Sequence, residues 1–197
     1  MRHLVFVLAF AGQVSINQVA ESQVNIEAMR QPAILREAYK RNVVVQTTDR
    51  FGSGIIIETG KVLTVFHNVE WGFPMVNGVS AEVVKFNETL DLILLSVPTV
   101  KVSKIRMDTR PYWSQPVFYV ANPLGHVGFL SLGHIAFVSE WIETNTLPIP
   151  GMSGGGLYNT RGELIGMNAR VEGDATWGYH IALHIKANTI KEFLEAK

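Results

Sequence analysis

The 197-residue chain contains no cysteine, so disulfide staples, thiolate metal sites and a cysteine nucleophile are all excluded. Packing and hydrogen bonds must hold the fold. Charge is scarce and balanced: 17 basic residues offset 17 acidic ones, together 17% of the chain. No global field attracts nucleic acid or an anionic membrane, and no nucleic-acid partner is expected. No apolar run reaches the ~20 residues a helix needs to cross a bilayer, so stable membrane insertion is not expected either. Internal repeats and low-complexity tracts are also missing.

What is present is a globular composition, 47% hydrophobic. A chain of this length fits one domain or two small lobes sharing a core, and can bury roughly 70% of its unfolded surface. At the amino terminus, Arg2 and His3 precede the apolar run Leu4 to Ala11, and Ala9-Phe10-Ala11 has the small-x-small form of a signal peptidase site. Residues 1–11 are therefore read as an export signal, which implies a secreted or periplasmic protein. If they are instead a first strand, as Leu4-Val5-Phe6-Val7-Leu8 also allows, the protein is cytoplasmic. Gly12 to Asn25 have no clear period and read as a linker. Pro32 to Arg41 read as a helix, with Pro32 in its first turn and Ile34, Leu35 and Ala38 on one face.

From Asn42 the pattern turns extended. Val43 to Thr48, Ile55 to Glu58, Lys61 to Phe66, Ala81 to Phe86 and Leu90 to Val97 are rich in β-branched and apolar residues and are separated by turns such as Gly52-Ser53-Gly54 and Thr59-Gly60. The third of these runs into His67, and the last starts near Asp91. Pro98 to Arg110 is basic and reads as a link to a second lobe. Lys101, Lys104, Arg106 and Arg110 within it could touch phosphates, although basic residues in a linker are usually just solvated. Beyond it, Pro116 to Ala121, Gly128 to Glu140, Trp141 to Asn145, Glu163 to Val171 and Thr176 to His184 alternate with turns at the short spacing of a β-barrel or sandwich. Asn188 is placed to cap a closing helix over about 188–196, with Ile190, Phe193 and Leu194 on one face.

The stretch Leu147-Pro148-Ile149-Pro150-Gly151-Met152-Ser153-Gly154-Gly155-Gly156-Leu157 is the chemical focus. Glycines on both sides of Ser153 let the backbone curl around a reacting atom and clear side chains from its approach. The same curl can aim successive N–H groups at one point, a preformed anion site. A Gly-rich turn with a serine is most often only a turn, so support must come from a histidine and a carboxylate elsewhere. Thr64-Val65-Phe66-His67-Asn68-Val69 and Leu90-Asp91-Leu92-Ile93-Leu94-Leu95 supply them. An aspartate entering so apolar a run is costly to bury without a partner, and an imidazole is one.

The order His67, Asp91, Ser153, together with Gly52-Ser53-Gly54-Ile55-Ile56-Ile57, Ala121-Asn122-Pro123-Leu124-Gly125, Gly162 to Asn168 and Gly178 to Ala182, resembles the chymotrypsin-like (trypsin-like) serine peptidases, most closely their high-temperature-requirement branch. The likeness covers roughly Val43 to Leu194. It implies an all-β fold of two perpendicular six-stranded β-barrels flanked by an N-terminal and a C-terminal helix, with barrel one over about 42–98 and barrel two over about 111–185 of a peptidase domain at 42–197. It also implies a serine endopeptidase acting on polypeptides through an acyl-enzyme. In that scheme His67 takes the Ser153 proton, Asp91 holds the imidazole in the right tautomer, and the N–H groups of Gly151 and Ser153 form the oxyanion hole. The resemblance puts Leu147, Asn168 and His180 near the primary specificity pocket. An apolar Leu147 offers no counter-ion to Arg or Lys, so an aliphatic P1 residue is expected. No cofactor or metal is implied. The branch's peptide-binding PDZ domains would follow the peptidase, and regulation by them is not expected here. The sequence carries no signal for oligomeric state.

Three departures from the family pattern bear on rate or pocket shape: Phe66 stands where a small residue is usual, Met152 where asparagine or aspartate is common, and Gly156 where proline or alanine is common. None removes a catalytic group; a catalytically inactive binding module on the same scaffold is the alternative reading. Two other readings are weaker. Gly151-Met152-Ser153-Gly154-Gly155 also fits the nucleophile elbow of α/β-hydrolases, with Asp174 and His180 following, but an elbow needs a helix directly after the serine. His180 and His184 have the spacing of a zinc-binding helix, yet on a strand they lie ~13 Å apart and cannot share a metal.

Overall fold

The computed structural model describes residues 33–174, 176 and 179–196. The export signal, the linker and Pro32 lie outside the described residues. Among the described residues no helix is long and apolar enough to cross a membrane.

Helix α1 (Ala33–Arg41) leads into seven strands, β1 (Asn42–Gln46), β2 (Phe51–Glu58), β3 (Lys61–Thr64), β4 (Met75–Val76), β5 (Val79–Ser80), β6 (Glu82–Asn87) and β7 (Leu92–Ser96). They form one antiparallel sheet in the order β5-β4-β1-β2-β3-β7-β6. Only Ala81 separates β5 from β6, so the two ends of the sheet are consecutive in the chain and the sheet must curl back on itself. Its end strands are not paired with each other among the described residues, so this lobe is an open half-barrel within the double-barrel fold expected. The hairpin β4–β5 has no counterpart in the sequence reading. It is two residues a side, too short to carry a period.

Six strands build the second lobe: β8 (Pro116–Ala121), β9 (Phe129–Val138), β10 (Ile142–Thr144), β11 (Gly156–Asn159), β12 (Leu164–Asp174) and β13 (Tyr179–Lys186). They close into a barrel in the order β10-β13-β12-β11-β8-β9. Helix α2 (Ala187–Glu195) follows β13 without a loop. Its N-cap position is Lys186, in extended geometry, and Asn188 lies inside the helix and does not cap it. Burial of Ala187, Ile190 and Phe193 fixes that start.

Strand periodicity explains why the chain's most apolar runs are continuous. On β2, Ile55 and Ile57 point to one cluster and Ile56 to another; on β7, Leu92 and Leu94 part from Ile93 and Leu95 in the same way. One cluster fills the half-barrel. The other lies between the lobes, where Ile55, Leu63 and Leu92 meet Phe118 and Val120 of β8, Met167 of β12 and Phe193 of α2. On β8 the alternate residues Val117, Tyr119 and Ala121 fill the closed barrel. Central strands are thus buried on both faces and need apolar residues at every position. The shared core welds the lobes, so loops at the seam are held on rigid strands.

Candidate active site

Strand β3 ends at Thr64, earlier than the sequence pattern suggests. His67 sits in a 3-10 turn over Phe66–Asn68 and not at a strand end. Asp91 is likewise outside β7: it has φ 54° and precedes the strand by one residue. This left-handed backbone costs most side chains of order 1 kcal/mol, and aspartate is among those that tolerate it. Three bonds from the His67 turn hold it. The Asp91 carbonyl accepts from Phe66 N–H at 3.1 Å, Oδ1 accepts from His67 N–H at 3.0 Å, and Oδ2 lies 2.8 Å from His67 Nδ1. The Asp91 side chain is 12% exposed and His67 38%, so the carboxylate is shielded while the imidazole reaches solvent. A carboxylate facing Nδ1 selects the Nδ1–H tautomer and leaves the Nε2 lone pair free to accept a proton.

The Ser153 turn belongs to the second lobe and is tied to the first by its backbone. Ser153 carbonyl accepts from Ser53 N–H at 2.8 Å and from Asn68 Nδ2 at 2.9 Å. Asn68 is the residue after His67, so one side chain binds the histidine turn to the serine turn. Asn68 Nδ2 also reaches Thr64 Oγ1 at 3.0 Å, and Thr64 Oγ1 donates to the Ser53 carbonyl at 2.6 Å. Ser53 is fully buried. Its Oγ donates to the Gly151 carbonyl at 2.9 Å and accepts from Asn122 N–H at 2.8 Å.

The peptide between Pro150 and Gly151 is trans, and its carbonyl accepts from Leu124 N–H at 3.1 Å. Across a trans peptide the N–H points opposite to the C=O, so this bond aims Gly151 N–H away from Leu124. Neither Gly151 N–H nor Ser153 N–H donates to a protein acceptor among the described residues. Two donors left open in one turn suit an incoming oxyanion. Gly151 has φ +89°, and a Cβ there would meet Leu124 N at 2.9 Å; Gly154 has φ +88°, and a Cβ would strike the Ser53 carbonyl. Glycine is required at both.

Ser153 leads into strand β11, so the hydrolase elbow is not formed. His180 and His184 lie on a strand, as the zinc argument requires, and no cluster of three metal-ligating side chains occurs among the described residues. The departures from the family pattern are each accommodated: Phe66 stacks on Phe86 with centroids 5.2 Å apart, Met152 is fully buried with its carbonyl bonded by the Tyr119 hydroxyl, and a Cβ on Gly156 would press on the Tyr158 ring.

The expected pocket residues differ in burial and bonding. Leu147 is 57% exposed and bonded through N–H to Ser131 Oγ. Asn168 is buried, with its backbone joined to Gly154 and Gly155 beside Ser153. His180 is exposed and pairs across the hairpin with Gly173, whereas the register partner of Asn168 is His184. His184 is fully buried and bonds Thr144 Oγ1 through Nε2 at 2.9 Å. Burial pushes its pKa down to about 3, so it is a neutral imidazole at ordinary pH. Asn168 Oδ1 and His184 Nδ1 have no hydrogen-bond partner among the described residues.

Ser53, Asn68 and Asn122 were not singled out by the sequence. The bonds by which they join the lobes, Ser53 to Gly151, Ser53 to Asn122 and Asn68 to Ser153, span 98, 69 and 85 positions, and no local pattern encodes them.

A half-barrel and a closed barrel sharing one core, with a His–Asp pair from one lobe and a glycine-flanked serine from the other, define the class. The family model for the trypsin-like peptidase domain matches residues 52–167, and the chain belongs to that family. HhoA of Synechocystis, assigned as a serine protease, is 29% identical over 170 residues, 74% of this chain and 43% of HhoA; the chain thus spans less than half of that relative's length. Among solved structures, the serine endoprotease from Yersinia pestis superposes with a TM-score of 0.73 at 23% identity, covering 82% of this chain and 64% of that one. Rv3671c from M. tuberculosis H37Rv, an inactive mutant form, gives 0.72 at 18% identity, covering 85% and 91%. At these identities the likeness establishes the fold.

Proposed function

We propose that the chain is a serine endopeptidase of the high-temperature-requirement type, hydrolysing peptide bonds through His67, Asp91 and Ser153 by way of an acyl-enzyme. The observation that carries the reading is the 2.8 Å contact of His67 Nδ1 with Asp91 Oδ2 on a turn that Asn68 ties to the Ser153 carbonyl. Ser153 Oγ attacks the scissile carbonyl as His67 Nε2 takes its proton. The oxyanion is received by Gly151 N–H and Ser153 N–H. His67 then returns the proton to the departing amine, and water repeats the sequence on the ester. Asp91 stays ionised and stabilises the imidazolium. The test is labelling by a fluorophosphonate probe alongside digestion of an unfolded protein. Wild type should label and digest, and Ser153→Ala should do neither. A folded wild type that does neither would favour the inactive binding module.

For the substrate, we propose an aliphatic or other medium-sized apolar P1 residue. Leu147 supplies no negative charge for Arg or Lys, and Asn168, at the position where glutamate-specific relatives carry a histidine, supplies no positive charge for an acidic side chain. Cleavage sites mapped by mass spectrometry in an unfolded protein mixture should cluster after apolar residues. Predominant cleavage after Arg, Lys or Glu would overturn this preference and leave the peptidase reading intact. Export of the chain to a secreted or periplasmic location remains part of the proposal, resting on residues 1–11.

A further inference from the structure

The basic residues of the interlobe linker, read from sequence as solvated, are brought by the fold to the wall of a cavity of about 650 Å³ between α1, the linker and the turn joining β11 to β12. Six cationic side chains line it, Lys40, Arg41, Lys101, Lys104, Arg106 and Arg161, against a single carboxylate, Glu37. We propose that this cavity is a binding site for a compact anion carrying several phosphoryl groups, separate from the candidate active site and independent of the peptidase reading.

The charge there is concentrated and largely uncompensated. Glu37 is committed to Arg41, which is 2.7 Å away, and Arg161 is held by Asp108 and Glu163. Lys40, Lys101 and Lys104 form no ion pair among the described residues, and Arg106 donates to the Arg161 carbonyl at 3.5 Å while its charge acts on Glu163, a carboxylate Arg161 already engages. A protein with no net charge has thus placed three unpaired lysines and a partly compensated arginine around one hollow, where mutual repulsion is unfavourable unless an anion relieves it.

The backbone under these cations is fixed. Val102 exchanges two bonds with Thr59 Oγ1, Ile105 N–H donates to the Ile57 carbonyl at 2.6 Å, and the Arg106 carbonyl accepts from Leu164 N–H at 2.9 Å. Buried Arg41 bonds the carbonyls of Ile56 and Ser103, which locks α1 to the linker. Ile105 is buried between exposed Lys104 and Arg106, so strand-like alternation sends both cations outward. Ala33 and Ile34 of α1 also line the cavity. A volume in the range of small-molecule sites suits an oligophosphate. A concave hollow, unlike an extended basic stripe, does not fit the convex backbone of a duplex.

The test uses the full chain and inorganic tripolyphosphate in isothermal titration calorimetry at low and at physiological salt. One-site saturable binding that weakens as salt rises is expected. Lys101→Glu with Lys104→Glu should weaken it by roughly 30-fold with an unchanged circular dichroism spectrum, while Lys191→Glu on α2 should leave it intact. Vesicles carrying a phosphorylated inositol headgroup separate the sources. Capture competed by tripolyphosphate makes the natural ligand a headgroup, and no capture makes it a soluble phosphate. Absent or unsaturable binding, binding untouched by the double variant, or tighter binding to duplex DNA than to tripolyphosphate would each overturn the proposal.

Discussion

Two buried polar clusters flank Ser153, and they are built differently. On one side Ser53, Thr64, Asn68 and Asn122 join the two lobes through bonds in which every buried side-chain polar atom has a partner. On the other side, within the closed barrel, Tyr119, Thr144, Asn168 and His184 lie together, yet Asn168 Oδ1 and His184 Nδ1 have none. The first cluster is cross-linked: removing any member takes a hydrogen-bond partner from at least two other groups. The second already carries the cost of unsatisfied groups, of order 1–3 kcal/mol each. Rigidity in this protein is thus concentrated at the seam where the Asp91–His67 pair meets the Ser153 turn.

The largest effect should come from the three residues proposed to react at that seam. Ser153→Ala, His67→Ala and Asp91→Asn are each expected to lower kcat by roughly 10⁴-fold, the scale of chymotrypsin-type triads, with losses that do not add. Steady-state kinetics on purified, folded variants measures this, and full activity in Ser153→Ala would end the comparison at its root.

Next comes the seam itself. Ser53→Ala deprives the Gly151 carbonyl of a donor and Asn122 N–H of its acceptor. The oxyanion turn loses its tether, so kcat should fall about 10- to 100-fold with KM changed little. A merely structural role would lower stability without this split, and Ser53→Thr, which keeps the hydroxyl, should recover part of the loss.

The barrel cluster should reveal itself through pH. His184 binds its proton only near pH 3 when folded but near 6.5 when unfolded. The unfolded chain therefore takes up the proton first as pH falls, and stability present above pH 6.5 is lost on the way down toward pH 3. At pH 5 the loss is about 2 kcal/mol. Urea denaturation at pH 7.5 and pH 5 should show that much less acid destabilisation in His184→Gln than in wild type. Equal slopes would mean that His184 is not buried neutral.

The smallest effect sharpens the contrast most. Asn168→Leu removes an amide oxygen that no donor satisfies among the described residues, gives up the side-chain hydrogen bond to Tyr119 and leaves the backbone bonds to Gly154 and Gly155 in place. It should change stability by less than about 1 kcal/mol, whereas Asn68→Leu, which takes one hydrogen-bond partner each from the Ser153 carbonyl and Thr64 Oγ1 and unties the two turns, should cost about 2 kcal/mol or more. Chemical denaturation of the pair decides it.

The amino-acid sequence by itself determined the β class, both helices, the order His67, Asp91, Ser153 and the glycines at 151 and 154, because each is written in local period, turn chemistry or spacing. Asp91 could be singled out from its apolar neighbours alone, since burying a lone carboxylate is costly. Only the tertiary structure decided the left-handed backbone that delivers Asp91, the Ser53 and Asn68 clamps, the substitution of His184 for His180 beside Asn168, and the gathering of Lys40, Lys101, Lys104 and Arg106 around one cavity. Each of these depends on the register in which distant strands pair and on which faces the shared core buries, and a hydrogen bond between residues about a hundred positions apart leaves no trace in either residue's neighbours.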